Sequence, residues 1–307
     1  MTYDLAIIGG GPAAVAAGVY AARKRLKTIF IAKEFGGQSA VSTEIQNWIG
    51  TVSLSGADLA ANLKKHLLAY AADSVEVKEG ALVEHVEKTS AGFAVKTSAE
   101  TYETRTVLIT SGSARRKLAV PGADQYENRG IVYCASCDGP LFANMDVAVV
   151  GGGNAAFDTA ANLLAYCKSV VLLHRSEEFK ADPVTVKTVL ANPKMHAILN
   201  AEILEVTGRQ FVTAIVYREK DTDKKVELPV QGIFVEIGSV PSTDYAKNLI
   251  ERDRFNQVVV DPRNQRTSTE GVWAAGDCTN GFYHQNNIAV GDAVKALEDI
   301  YLYLRAK

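Results

Sequence analysis

The apolar and polar positions of this chain follow two periodicities. Short unbroken apolar runs at residues 5–8, 28–32, 147–150 and 170–173 read as strands buried on both faces, as in a parallel sheet. Between them lie segments with apolar residues at helical spacing: a small-residue helix ending near Ala22, and further helices over 56–70, 157–166 and 288–304. From Val75 to Ile109 the pattern is strand-like throughout (75–77, 81–86, 93–96, 106–109), which predicts a three-stranded insertion returning to the parallel sheet. Residues 198–216, 226–230 and 232–237 predict more strands. Strands alternating with helices give an α/β fold class.

Two glycine-rich turns fall where this alternation places the end of a strand and the start of a helix. Gly9-Gly10-Gly11-Pro12-Ala13-Ala14 is the first, and Gly151-Gly152-Gly153-Asn154-Ala155-Ala156 repeats it glycine for glycine. Each is G-x-G-x-x-A, where glycine permits a tight turn and close approach of a pyrophosphate to the N-terminus of the helix. Gly9, Gly11, Pro12, Ala13 and Ala14 are therefore candidate contacts in one unit, and Gly151, Gly153, Asn154 and Ala155 in the other. Two such units imply two dinucleotide sites, hence two Rossmann-like domains in one chain. An acid about 20 residues beyond the glycines suits a ribose, and Glu34 is the candidate. After the second unit, Arg175 and Lys180 are either phosphate contacts or ordinary solvated charges. Gly36-Gly37-Gln38 reads as a flexible loop and Trp48-Ile49-Gly50 as a turn. Thr110-Ser111-Gly112-Ser113 offers small residues for backbone passing close to a cofactor. A buried strand before Asp277 delivers that carboxylate at a strand's carboxyl end. Pro121-Gly122 and Pro241 mark candidate linkers.

At 307 residues the chain suits two domains, and 47% hydrophobic with 22% charged residues is a globular composition. A net charge of −2 leaves no basic footprint for nucleic acid. No apolar run reaches the roughly 18 residues of a membrane span. The N-terminus enters a strand pattern directly, without the regions of a signal peptide, so the expected compartment is a reducing cytoplasm.

That compartment sharpens the meaning of Cys134-Ala135-Ser136-Cys137-Asp138, just ahead of the second glycine turn. A Cys-x-x-Cys there is redox-active or half of a zinc site rather than a structural staple. As a redox pair it takes two electrons on ring opening and passes them on by thiol–disulfide exchange. The zinc reading needs a second ligand pair, for which Cys278 with His284 is the best remaining set, and no metal is expected. Asp138 either caps a turn or moves the proton that exchange requires.

These motifs, together with Ala275-Gly276-Asp277-Cys278, occur in the order seen in low-molecular-weight thioredoxin reductases, class II pyridine nucleotide-disulfide oxidoreductases. The chain also resembles the reductase portion of the alkyl hydroperoxide reductase flavoprotein, on Cys-x-x-Cys-Asp-Gly-Pro-Leu-Phe. The resemblance implies a discontinuous FAD domain, residues 1–116 and 241–307, and an inserted NAD(P)H domain, residues 117–240, carrying the dithiol. It implies that the first glycine turn holds FAD with Gly37, Gln38, Asn47, Thr110 and Gly112 lining it. Asp277 would bind the ribityl chain, with His284, Gln285 and Asn286 against the isoalloxazine. It implies a homodimer that reduces thioredoxin or a thioredoxin-like protein, with a peroxiredoxin partner or a ferredoxin-type donor as alternatives. NADPH-using members show His-Arg-Arg and a further arginine at the second turn. Here His174-Arg175-Ser176-Glu177-Glu178-Phe179-Lys180 keeps one arginine, which leaves NADH as a second possibility beside NADPH.

Overall fold

The computed structural model describes residues 2–42 and 44–306. By its internal packing the chain forms two compact units, Met1–Ala114 with Val240–Lys307, and Arg115–Ser239. The two crossings, Ser113–Arg115 and Ser239–Pro241, pair as a two-stranded ribbon.

The first unit opens with β1 (Thr2–Ile8), α1 (Pro12–Arg23), β2 (Thr28–Ala32), α2 (Gly56–Ala71) and β3 (Val75–Glu79). β4 (Val83–Thr89), β5 (Gly92–Thr97) and β6 (Thr101–Ile109) follow. The sheet order is β3-β2-β1-β6-β5-β4, with Val272–Ala274 also paired to β6. β1 runs parallel to both β2 and β6, with Ile8 level with Ile31 on one side and Ile109 on the other. That register brings the ends of three strands to one edge, and the first glycine turn emerges between them. The apolar runs are buried because each sheet face is covered. α1, α2 and the helix Asn286–Arg305 pack on one side, around Leu5, Phe30 and Trp273. Ile8, Val95 and Val258 help fill the other. β3 joins the parallel sheet through β2, so the insertion comprises β4, β5 and the returning β6.

The second unit repeats the plan. Asp146–Val150 lies between Ser169–Leu173 and Gly232–Val235, all parallel, with Val150 level with Leu173 and Val235. Met195–Ile198 and Ile131–Val132 extend the sheet at its edges. Ala201–Gly208, Val212–Glu219 and Lys224–Pro229 form a separate antiparallel sheet. Pro121-Gly122, expected as a linker, is instead a turn built into this unit. The Pro121 carbonyl accepts from the Val206 amide at 2.9 Å, and a Cβ at Gly122 would stand 2.0 Å from the Val206 carbonyl oxygen. Its composition marks a turn, and the antiparallel sheet closes over it.

Candidate functional site

The strand ends fix what surrounds each glycine turn. At the first, Gly9 has φ +136°, and a Cβ on it would meet the Thr110 carbonyl oxygen at 2.3 Å. A Cβ on Gly10 would lie 1.9 Å from the Glu34 carbonyl oxygen. Gly11 caps α1 without a side-chain hydrogen bond, Pro12 opens the helix, and Ala13 and Ala14 are buried behind it. Gly37, at φ +59°, brings its loop beside Gly11, where a Cβ would sit 3.3 Å from the Gly11 Cα. That loop, expected to be flexible, is the 3-10 turn Gly37–Val41. The Glu34 side chain is exposed at the end of β2, and the Thr110 hydroxyl is spent on the Ile8 carbonyl at 2.9 Å. A Cβ placed on Gly112, at φ +64°, would have nothing within 4 Å, so the chain there borders open space.

Three segments distant in sequence meet beside this turn. Gln38 Nε2 donates to Asp277 Oδ2 and to Ser113 Oγ, both at 3.3 Å. Asn47 Nδ2 donates to Gln285 Oε1 at 3.2 Å, and Asn286 exchanges hydrogen bonds with Ser39. His284 Nε2 is buried and has no hydrogen-bond partner among the described residues. A buried ring nitrogen without a partner is costly, and a polar group of a bound ligand would relieve it. The open helix N-terminus, the cradle at Gly9 to Gly11 and this orphaned nitrogen fit a large anionic dinucleotide with a polar ring system.

The second turn has the same backbone with different neighbours. A Cβ on Gly151, φ +156°, would meet the Glu236 carbonyl oxygen at 2.4 Å. A Cβ on Gly152 would meet the His174 ring at 2.2 Å. Gly153 caps the helix Asn154–Leu163 without a side-chain bond and has open space beside it. Asn154 Oδ1 accepts from the Asp182 amide at 2.8 Å, and Ala155 is exposed beside it. His174 is buried, its Nε2 3.0 Å from the Glu178 carbonyl oxygen, and burial holds its pKa below the ordinary histidine value. Arg175 and Lys180 are exposed at this turn, with no acid within ion-pair distance among the described residues.

In the same unit Cys134 and Cys137 form a disulfide with Cα atoms 5.3 Å apart. The ring is held by a single helical turn, Ala135–Asp138, in which the Cys134 carbonyl accepts from the Asp138 amide at 2.9 Å. Asp138 is half-buried, and burial pushes its carboxyl up to about 6 while Arg115 pulls the other way. Arg115 Nη1 lies 3.9 Å from Glu236 Oε1, which also accepts from Thr159 Oγ1 at 2.8 Å. Burial raises the Glu236 carboxyl as well. Neither Arg115 nor Glu236 stands out in the sequence, because they flank the two crossings and meet only in the fold. Cys278 and Cys167 are buried thiols bonded to backbone carbonyls, and burial pushes them up to about 12 and about 11.

Two nucleotide-type folds in one chain, one of them bearing a Cys-x-x-Cys disulfide, define an oxidoreductase of the dinucleotide-dependent disulfide class. The chain belongs to the pyridine nucleotide-disulphide oxidoreductase family, whose profile matches residues 3–293. It is 35% identical over 98% of its length to an NADH dehydrogenase of Bacillus subtilis. It is 36% identical, over the same share, to an alkyl hydroperoxide reductase subunit of Escherichia coli. It spans 58% of the length of each of these two curated relatives. Among solved structures it resembles thioredoxin reductase from Streptococcus pyogenes, with a TM-score of 0.92 and 32% identity over 100% of this chain and 99% of that one. Thioredoxin reductase from Giardia duodenalis superposes equally well, with a TM-score of 0.92 and 28% identity over 99% of both chains. Among the described residues no helix is long and apolar enough to cross a membrane.

Proposed function

We propose that this chain is an FAD-dependent NAD(P)H:protein-disulfide oxidoreductase of the thioredoxin reductase type. The observation that carries this reading is the Cys134–Cys137 disulfide, with an acid next to it on the same helical turn whose pKa is pushed up to about 6, inside the unit that bears the second glycine turn. Met1–Ala114 with Val240–Lys307 holds FAD through the first turn and the polar cluster Gln38, Asn47, Asp277 and Gln285; Arg115–Ser239 holds the nicotinamide nucleotide through the second. When bound, the cofactors supply hydride chemistry that delivers two electrons to the disulfide. The net reaction is NAD(P)H, one proton and a protein disulfide giving NAD(P)+ and two thiols.

The chain's own residues do the rest. Opening the Cys134–Cys137 ring frees one thiolate to attack the partner's disulfide while its neighbour resolves the mixed disulfide. Asp138 holds the proton that one leaving sulfur must take up. A carboxyl near 6 exchanges protons readily around neutral pH, which an ordinary carboxylate does not. The thioredoxin reductase structures support thioredoxin as the partner, and the relatives named as alkyl hydroperoxide reductase support a peroxiredoxin system as the second reading.

Anaerobic titration of the purified protein with NADPH and NADH, followed by flavin absorbance, tests the proposal. Bleaching by either nucleotide at micromolar concentration, followed by stoichiometric reduction of added thioredoxin disulfide that Cys134→Ser and Cys137→Ser abolish, is the expected result. Reduction of a peroxiredoxin disulfide with thioredoxin left oxidised favours the second reading. Undiminished disulfide turnover in both serine variants sinks both readings.

A further inference from the structure

The loop after the second glycine turn lacks the paired arginines that its family resemblance leads one to expect, yet the fold brings in a cation from elsewhere. Lys220, at the end of the strand Val212–Glu219, donates from Nζ to the Arg175 carbonyl at 2.9 Å, and its own amide donates to the Asn200 carbonyl at 3.0 Å. Asn200 in turn donates its amide to the Ser176 carbonyl at 3.2 Å. The Lys220 ammonium is thereby held against the segment that carries Arg175, although it lies far away in sequence. We infer that Lys220 is a specificity residue of the nicotinamide nucleotide site, which joins Arg175 and Lys180 to bind the 2′-phosphate of NADPH.

Four features of the structure support this. An ammonium has three donors, and the Arg175 carbonyl takes one, so two remain for a phosphate. The acids nearest Lys220 in sequence are turned to partners of their own: Asp221 accepts from Asn200 Nδ2 at 3.1 Å, and Glu219 accepts from Thr222 Oγ1 at 2.8 Å. The loop is also anchored where a phosphate at its rim needs it. The Lys180 amide donates to the Gly152 carbonyl at 2.7 Å, and the Asp182 amide to Asn154 Oδ1 at 2.8 Å. Finally, His174 does not compete as a ligand, since its ring is buried as the floor beneath Gly152 and its Nε2 is engaged by the Glu178 carbonyl. Glu177 and Glu178 are exposed on the same loop and oppose a phosphate, and Glu202, held ionised by Arg218 and more weakly by Lys220, adds a further acid beside Lys220. Three cations converging on one loop still suit a dianionic 2′-phosphate, whereas a bare ribose calls for an acid at the strand end.

The inference rests on the proposed nucleotide site, so the test separates the two. Binding of 2′,5′-ADP and of 5′-AMP to the full chain is measured by isothermal titration. The expected result is tighter binding of 2′,5′-ADP. Lys220→Ala should weaken it roughly tenfold while 5′-AMP stays within about twofold, and Lys220→Arg should restore most of the loss. In steady state the same Lys220→Ala change should raise KM for NADPH and leave kcat unchanged, because the lost contact is to a non-reacting part of the substrate. Thermal unfolding of the variant checks that it is folded. An unchanged 2′,5′-ADP affinity, an equal loss for both nucleotides, or a native preference for 5′-AMP overturns the assignment of Lys220. If neither nucleotide binds the native chain, the nucleotide site itself fails and the inference falls with it.

Discussion

The two glycine turns have one sequence pattern and one backbone, and they differ in what lies underneath. Beneath the first, Gly10 faces a peptide carbonyl, that of Glu34. Beneath the second, Gly152 faces a side chain, the ring of His174. The residue bordering the first glycine is neutral Thr110 in one unit and the half-buried acid Glu236 in the other. A shared motif therefore fixes the shape of a site and leaves its tolerance and its sensitivity to pH to neighbours that the motif does not specify. Both outer glycines face backbone carbonyls, so the walls differ at the middle glycine, which is rigid backbone in the first turn and a side-chain ring in the second.

The largest expected effect comes from adding one methyl group to each middle glycine. Gly10→Ala places a Cβ 1.9 Å from a backbone oxygen and 3.0 Å from the Ala32 Cβ, and neither neighbour can yield without shifting the strand end. Overpacking of this kind costs about 3 kcal/mol, so the variant should unfold at lower temperature and purify with little flavin. Gly152→Ala meets the His174 ring, which must shift and loosen its bond to the Glu178 carbonyl at a cost of about 2 kcal/mol. It should keep its flavin and lose nucleotide affinity, and adding His174→Ala should recover part of the stability. Equal losses in the two single variants, measured by thermal unfolding and flavin content, would break the comparison.

The chain's patterning explains why so much of this can be read in advance. Unbroken apolar runs such as residues 5–8 and 147–150 become central parallel strands because both sheet faces are covered, and a glycine turn at such a strand's end needs no tertiary information to be recognised. Within the polar cluster, Asp277 was legible as a carboxylate at a strand's carboxyl end, whereas Gln38, Asn47 and Gln285 were open to inference only through resemblance, since the members lie in three separate segments. Arg115, Glu236 and Lys220 carried no sequence signal. Their significance depends on strand register and on a hairpin end folding back against a loop, and neither is periodic along the chain. Pro121-Gly122 misled because a proline-glycine pair marks a turn equally well inside a unit and between units.

A smaller effect should follow pH. Burial raises the proton affinity of Glu236 in the folded chain above its ordinary value of 4.5. The folded state is thus favoured while the acid is protonated, and stability falls as pH rises from the unfolded-state value through the folded one. Glu236→Gln keeps an acceptor for Thr159 and removes this penalty. It should be more stable than the native chain at pH 7.5 and equal to it near pH 4. Thr110→Val in the first unit should show a loss independent of pH, since the threonine has no charge to titrate. Parallel stability curves for native protein and Glu236→Gln across this range would remove the electrostatic half of the comparison.

The smallest expected effect concerns the first residue of each helix. Pro12 has no side-chain polar atom, whereas Asn154 uses its Oδ1 to hold the Asp182 amide and with it the end of the loop that begins at His174. Pro12→Ala should therefore change stability by no more than about 0.5 kcal/mol, because proline at a first helical position replaces an amide that lacks an intrahelical partner in any case. Asn154→Ala removes a hydrogen bond worth about 1 kcal/mol and regains part of it through alanine's better helix propensity, so unfolding should hardly register the change. Ligand binding should register it. If Arg175, Lys180 and Lys220 bind the 2′-phosphate together as proposed, releasing one of the loop's anchors should weaken 2′,5′-ADP about threefold with 5′-AMP less affected. The first turn carries the matching backbone anchor, from the Gly36 amide to the Gly10 carbonyl at 2.9 Å, and the second adds the side chain of Asn154. Identical 2′,5′-ADP affinity in Asn154→Ala and native protein would mean that the backbone bond from Lys180 to Gly152 suffices to hold the loop.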